Sequence, residues 1–124
     1  MKSNRPVNLD LTKFKFPLTA ITSIIHRISG VVLFLCIPLL LGYLSCSLSS
    51  ADSYSAVVAS LQTGWGKFIT WLVLAAILYH LVAGIRHLFM DLGFGETKHS
   101  SKVTAVVMLI VFVVLVVLAG VYVW

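Results

Sequence analysis

Three long apolar stretches dominate this sequence and determine what it can fold into. They cover residues 21–48, 68–90 and 103–124, and a helix needs about 20 apolar residues to cross a hydrocarbon layer roughly 30 Å thick. In the whole chain 60% of the residues are hydrophobic and 10% are charged, whereas soluble domains carry about 25% charged residues. The sequence therefore predicts an all-α integral membrane protein with three transmembrane helices.

The spans take up more than half of the chain and leave no room for a second domain. We expect one transmembrane domain over residues 1–124, in which residues 1–20 form an inner-side N-terminal segment. The third stretch is rich in valine, but a lone strand in lipid would leave its backbone groups unpaired, so a helix is expected. Residues 49–66 are expected to form a short polar connector, and neither Cys36 nor Cys46 is given a role.

Basic residues are concentrated on one side of the expected spans. Such residues stay on the cytoplasmic or matrix side, so we expect the N-terminus and second loop inside and the first loop and C-terminus outside. The net charge is +5, but these residues flank spans and form no single basic face, so no nucleic-acid partner is expected. The inner residues are Lys2, Arg5, Lys13, Lys15, Arg86, Lys98 and Lys102; outside lie Lys67 and the interfacial rings of Trp65, Trp71, Tyr122 and Trp124.

Polar residues inside the first span lie at helical spacing. Ser23, His26, Arg27 and Gly30 occupy positions i, i+3, i+4 and i+7, so they share one face of a helix. Ionisable side chains in lipid are costly and usually mark a ligand, a partner or a pathway. Other interpretations also fit the spacing: Arg27 snorkels toward the inner headgroups, or Ser23 bonds a carbonyl of its own helix.

A second polar stripe lies in the second span. His80, Gly84, His87 and Asp91 occupy positions i, i+4, i+7 and i+11, while Arg86 points elsewhere. A histidine followed one turn later by glycine suits a flat metal-containing cofactor, because the missing side chain lets a ring approach the backbone. Two other interpretations are open: small residues simply permit close helix packing, or Arg86, His87 and Asp91 form an interfacial charge cluster without a ligand.

The two stripes are expected at different depths. His80 lies about 16 Å from the inner interface, near the middle of the layer, whereas His26 and Arg27 lie about two turns inside the first span. His80 fits the role of an axial ligand of a buried haem. The role of binding haem propionates or a polar headgroup fits His26, Arg27 and His87. A lone intramembrane histidine is about as often a helix-packing hydrogen-bond donor as it is a ligand. The joint occurrence of both stripes is what favours a cofactor.

At these residues the chain resembles the cytochrome b membrane-anchor subunit of succinate dehydrogenase, the succinate:quinone oxidoreductase also called respiratory complex II. Two motifs in the family's order carry the resemblance, which extends over most of the chain. The first is Arg5-Pro6-Val7, then Leu11, Leu18 and Ser23, ending in His26-Arg27-Ile28-Ser29. The second is His80, then Gly84-Ile85-Arg86-His87-Leu88, then Met90-Asp91 and Gly93.

The resemblance implies a role for each polar residue. His80 is expected to be one axial ligand of haem b, with the second imidazole supplied by a smaller partner anchor subunit. Ser23 and Arg27 are expected to line the ubiquinone pocket, and His26, Arg27 and His87 to lie near the haem propionates. The other expected partners are a flavoprotein subunit, which oxidises succinate, an iron-sulfur subunit and membrane lipid.

The resemblance also implies a place for the chain in the cell. It is expected to belong to a multi-subunit helical bundle in the bacterial inner membrane rather than the mitochondrial inner membrane. There it would be part of an oxidoreductase of the respiratory chain and tricarboxylic acid cycle, with no stand-alone activity. Alternatives are the anchor of a related fumarate reductase that uses menaquinone, a small proton-coupled transporter subunit, and a purely structural anchor. The transporter alternative lacks the expected repeat pattern, and missing haem absorbance would favour it.

Overall fold

The computed structural model describes residues 15–124, which form four helices and no strand. Three of the helices are long and apolar enough to cross a membrane, which confirms the predicted all-α architecture with three transmembrane helices. Lys2, Arg5 and Lys13, and the first motif's residues Arg5-Pro6-Val7 and Leu11, lie outside the described residues. The helices are α1 (Leu18–Ser49), α2 (Ala51–Gln62), α3 (Gly64–Asp91) and α4 (Lys98–Val123).

Two of the spanning helices, α3 and α4, begin earlier than their apolar stretches because hydroxyl side chains cap them. Thr63 Oγ1 accepts a hydrogen bond from the backbone N–H of Gly66 at 3.0 Å, which starts α3 before Phe68. Thr97 Oγ1 accepts from the N–H of Ser100 at 3.2 Å, which starts α4 before Val103. The first turns of these two helices are therefore polar and lie outside the apolar stretches.

The prediction that residues 49–66 form only a short polar connector is wrong. Most of this segment is helix α2, which has 12 residues and is too short to cross a membrane. Ser50 Oγ accepts a hydrogen bond from the N–H of Ser53 at 3.1 Å. Asp52 places a negative charge in the first turn, where it interacts favourably with the helix dipole. An N-cap and an acidic first turn are sequence signals for a helix, and they are present here.

Helix α3 packs against both of the other spanning helices. Tyr79 and Ala83 of α3 are buried, as are Ala105 and Met108 of α4. The Tyr79 ring meets Phe112 of α4 edge to face with the centroids 5.1 Å apart. On its other side the Tyr79 hydroxyl donates to the backbone oxygen of Thr22 in α1 at 2.9 Å. Tyr79 therefore ties the three spans together.

The end of the helices that holds the tryptophans is linked by ring contacts. Trp71 lies 6.3 Å from Trp124, measured between ring centroids, and its Nε1–H donates to Val116 O at 3.0 Å. Phe68 lies between Trp65 and Trp71, at 5.4 Å and 6.4 Å. Three of the four aromatic residues expected at one interface are thus connected, while Tyr122 is exposed. Large apolar side chains cover the outer faces of all three spans, as contact with lipid or another membrane subunit requires.

The turn from α3 to α4 depends on two glycines. Gly93 and Gly95 have φ angles of 86° and 84°, in the left-handed region that other residues rarely adopt. Gly93 follows the last residues of α3 and stops that helix in the way common at helix C-termini. The glycine that closes the second sequence motif therefore has a backbone role.

Candidate functional site

Three imidazoles gather between α1 and α3, and we call His26, His80 and His87 the histidine cluster. The His26 ring stacks on the His80 ring with centroids 4.2 Å apart and planes inclined by 22°. It also lies 5.0 Å from the His87 ring, at 42°. Within residues 15–124 no group of three His, Cys, Asp or Glu side chains, this cluster included, is arranged to hold a bare metal ion. The structure thus joins the two polar stripes.

Two glycines let the helices approach closely enough for this stacking. A Cβ atom at Gly30 would lie 3.0 Å from Cε1 of His80. A Cβ atom at Gly84 would lie 3.6 Å from Nε2 of His26. Each glycine therefore faces the imidazole of the opposite helix, which is the use of small residues at membrane helix interfaces.

The His80 ring is oriented by hydrogen bonds to α1. Its Nδ1 lies 3.0 Å from Ser29 Oγ and 3.2 Å from the backbone oxygen of His26. The Ser29 hydroxyl donates to that same oxygen at 2.7 Å. Because a carbonyl oxygen only accepts, Nδ1 must carry the proton to bond it. Nε2 then keeps its lone pair, and it has no hydrogen-bond partner among residues 15–124.

His26 carries an unsatisfied polar atom. Its Nε2 is buried and has no hydrogen-bond partner in the described part of the chain. Buried polar groups are nearly always hydrogen-bonded, so an exception calls for a partner that completes it. The atom lies within the histidine cluster, where a bound group could supply that partner.

Ser23 and Arg27 lie in α1 on either side of His26 in the sequence. Arg27 is exposed and Ser23 is half-buried. Across residues 15–124 neither side chain makes a hydrogen bond or an ion pair with the protein, so both are available to a ligand. The alternative in which Ser23 bonds its own helix is not what the structure shows.

The buried face of α1 differs from the predicted one. Thr22 and Ser29 are buried, with 2% and 7% of their surface exposed, and His26 lies between them at i+4 from Thr22. This face is rotated from the predicted stripe, so Arg27 lies at its edge. The contact between Ser29 and His80 is not among the predicted ones, although the position of the Ser29 hydroxyl one turn after His26 is a sequence signal for it.

The expected difference in depth between His26 and His80 is not observed. Their rings are in contact, and His26 lies between the side chains of His80 and His87. The predicted depth was counted from the start of the apolar stretch at residue 21, but α1 begins at Leu18. The side chains also reach along the helices toward one another.

Arg86 faces away from the histidine cluster, as expected. Its Nε donates to Thr104 Oγ1 at 3.3 Å, and its Nη2 donates to the backbone oxygen and to Oγ of Ser101, both at 3.1 Å. Asp91 is exposed. Since Arg86 binds α4 and His87 contacts His26, the interfacial charge cluster of Arg86, His87 and Asp91 does not form.

A separate groove of about 630 Å³ lies between α3 and α4. Its walls are apolar except around Arg86 and Thr104, and Phe89, Met108 and Val111 contribute large side chains. No residue predicted to bind haem or quinone lines this groove. The histidine cluster therefore lies apart from this groove, at the α1–α3 interface.

Comparison with known proteins identifies the family. The profile of the succinate dehydrogenase/fumarate reductase transmembrane subunit family matches residues 1–119. The chain belongs to this family. Among its relatives, the succinate dehydrogenase cytochrome b556 subunit of Coxiella burnetii is 51% identical over the whole of both chains. The protein of the same name from Paracoccus denitrificans is 36% identical over 91% of this chain and 95% of its own length.

The succinate dehydrogenase cytochrome b560 subunit of Reclinomonas americana is 38% identical over 88% of this chain and 79% of its own length. The resemblance to the cytochrome b anchor subunits of succinate dehydrogenase, predicted from two motifs, is thereby confirmed. The chain is a multi-pass subunit of the succinate dehydrogenase/fumarate reductase transmembrane family.

Proposed function

We propose that this chain anchors a succinate dehydrogenase in the membrane, supplies one axial ligand to haem b through His80, and contributes Ser23 and Arg27 to the ubiquinone-reduction site. The observation that carries the proposal is the hydrogen bonding of His80. Ser29 and the His26 carbonyl hold Nδ1–H, so Nε2 keeps a lone pair and is free to bind iron.

The residues around His80 suit a haem. Gly30 leaves space for the His80 ring to lie against α1, and the unsatisfied Nε2 of His26 is a ready donor for a propionate carboxylate. Arg27 and His87, which border His26, can supply further positive charge or hydrogen bonds. When bound, haem b supplies a one-electron redox centre whose potential depends on its axial ligands and their hydrogen bonds.

The second axial imidazole is assigned to a smaller partner anchor subunit. His80 is half-buried in this chain, so part of the histidine cluster is left for another subunit to cover. The relatives are named as cytochrome subunits of succinate dehydrogenase, whose remaining partners here would be the iron-sulfur and flavoprotein subunits. No residue of this chain would contact succinate, and the chain alone would have no activity.

Ser23 and Arg27 are assigned to ubiquinone. A hydroxyl and a guanidinium can hydrogen-bond the quinone oxygens, and a fixed cation stabilises the negative charge that develops as the quinone is reduced. Both side chains are free of protein partners in the described residues and lie beside His26. Arg27 would hold the oxygen that becomes charged, and Ser23 would orient the ring.

We place the chain in the bacterial inner membrane, with its N-terminus and its α3–α4 turn inside. Lys15, Lys98 and Lys102 are exposed near the inner ends of their helices, and the linked tryptophans lie at the opposite end. A reporter enzyme that is active only outside the cytoplasm should be active when fused after Trp124. Activity of that reporter when fused within residues 93–97 would reverse the orientation.

The haem assignment is tested by purifying the complex with His80→Leu. We expect the haem absorption spectrum to change and the haem content to fall, because the fixed imidazole is gone. His99→Leu is the matched control, since His99 is exposed at the start of α4 and should leave the spectrum unchanged. An unaltered spectrum and content both in His80→Leu and in His80→Leu combined with His26→Leu, whose imidazole is close enough to replace it, would remove His80 from the iron.

The quinone assignment is tested by Arg27→Leu. We expect succinate-driven ubiquinone reduction to fall by about 100-fold, while succinate oxidation coupled to a dye that accepts electrons from the soluble subunits stays near normal. Lys102→Leu removes an exposed cation elsewhere and is the control. Equal loss of both activities in Arg27→Leu would indicate failed assembly, and full ubiquinone reduction would exclude Arg27 from the site.

A further inference from the structure

Ser29 makes a contact that most hydroxyls in these helices do not make. Thr22, Ser47 and Thr70 each donate to a carbonyl three or four residues earlier in their own helix and stop there. Ser29 also donates to its own helix, to His26 O at 2.7 Å, but its Oγ lies in addition 3.0 Å from Nδ1 of His80 in α3. The side chain is buried, with 7% exposed.

The direction of each hydrogen bond follows from counting protons. Ser29 has one hydroxyl proton, and its bond to the His26 carbonyl uses it. Its Oγ must therefore accept the proton on His80 Nδ1, which it shares with His26 O at 3.2 Å. Ser29, His26 O and His80 Nδ1 form a closed triangle in which every proton has an acceptor.

We infer that Ser29 is a positioning residue that sets the donor strength of His80 and thereby the reduction potential of haem b in this complex. The inference rests on the proposed axial role of His80. An acceptor on Nδ1–H pushes electron density toward Nε2, which favours the oxidised iron over the reduced iron. The Ser29 hydroxyl, polarised by its own bond to His26 O, is the better placed of the two acceptors.

Ser29→Ala removes one acceptor and keeps the other. Nδ1–H would retain His26 O at 3.2 Å, and Gly30 would still receive the ring, so haem should remain bound at the wild-type ratio. The weaker donor should raise the midpoint potential of the haem. Ser29→Cys, whose thiol is slightly larger and is a weaker hydrogen-bonding group, should raise it by a smaller amount. Ser29→Thr retains the hydroxyl and should restore the wild-type potential.

The experiment is a redox titration of haem b in the purified complex, followed by its absorption spectrum. Thr22→Val is the matched control, because Thr22 is a buried hydroxyl in the same helix that bonds only its own helix. A rise in Ser29→Ala with none in Thr22→Val and Ser29→Thr supports the inference. An unchanged potential in Ser29→Ala and Ser29→Cys, or an equal rise in Thr22→Val, overturns it.

The same titration on the double variant that combines His80→Leu with His26→Leu separates this inference from the proposed function, because His26 lies close enough to replace a missing His80. If the double variant leaves the spectrum and the potential at wild-type values, the axial role itself fails and the Ser29 inference fails with it. If the double variant alters both but Ser29→Ala and Ser29→Cys alter neither, the axial role stands and only the inference about Ser29 is overturned.

Discussion

The imidazoles of His26 and His80 stack with their centroids 4.2 Å apart, although the residues are 54 positions apart in the sequence. His26 belongs to α1 and His80 to α3, so this contact makes one site of two motifs. It also places a second imidazole, with a buried unpartnered Nε2 among the described residues, directly beside the proposed axial ligand. Substitutions in α1 should therefore change the properties of a group that is bound by α3.

Gly30→Ala should disturb the proposed haem site from α1. The added Cβ would lie 3.0 Å from Cε1 of His80, and hydrogen bonds to α1 restrict how the ring can move away. We expect an altered haem absorption spectrum and a lower haem content in the purified complex. Gly42→Ala is the matched control, since nothing in the described chain lies within 4 Å of a Cβ there. Identical spectra for both variants would contradict close packing of His80 on Gly30.

The sequence predicts the spans well because their length and apolar character follow directly from the thickness of the membrane. It predicts the stripe of His80, Gly84 and His87 for a similar reason, since helical spacing alone puts them on one face. Hydropathy does not predict helix α2, because a polar segment between two spans is typical of a loop, although Ser50 and Asp52 signal a helix start.

Contacts between helices were less accessible from the sequence. Helical spacing allows several overlapping faces on α1. The predicted face includes Arg27 but not Thr22 and Ser29, which are buried in the structure. The direction of Arg86 was predicted correctly, but its partners Ser101 and Thr104 depend on how α4 returns after the glycine turn. Rotation and return path are tertiary properties that spacing within one helix does not determine.

Tyr79→Phe should weaken the packing of α1 on α3. The hydroxyl donates to Thr22 O at 2.9 Å and is buried, and such a bond contributes about 1 kcal/mol. We expect a lower midpoint temperature for loss of quinone reductase activity, with an unchanged initial rate because the ring still packs on Phe112. Tyr122→Phe, at a residue 91% exposed, should leave the midpoint unchanged. Equal midpoints for the two variants would contradict this role of Tyr79.

Arg86→Met should loosen α4 without altering the histidine cluster. The guanidinium makes three hydrogen bonds to Ser101 and Thr104, and their loss should cost about 1–3 kcal/mol in the free energy of unfolding. A denaturant titration of the complex measures this, with exposed Lys102→Met as the control. The haem spectrum should remain as in the wild type, because Arg86 faces the other side of α3. A changed spectrum with unchanged stability would contradict the assignment.

The ligation of haem by His80 is the central claim, and the electron paramagnetic resonance spectrum of the oxidised complex tests it most directly. His26 lies close enough to replace a missing His80, so the decisive sample combines His80→Leu with His26→Leu. The wild-type complex and the His26→Leu single variant should both show low-spin iron with two imidazole ligands, and the double variant should lose that signal. A double variant that retains the full wild-type low-spin signal would show that the iron is bound by residues other than His80.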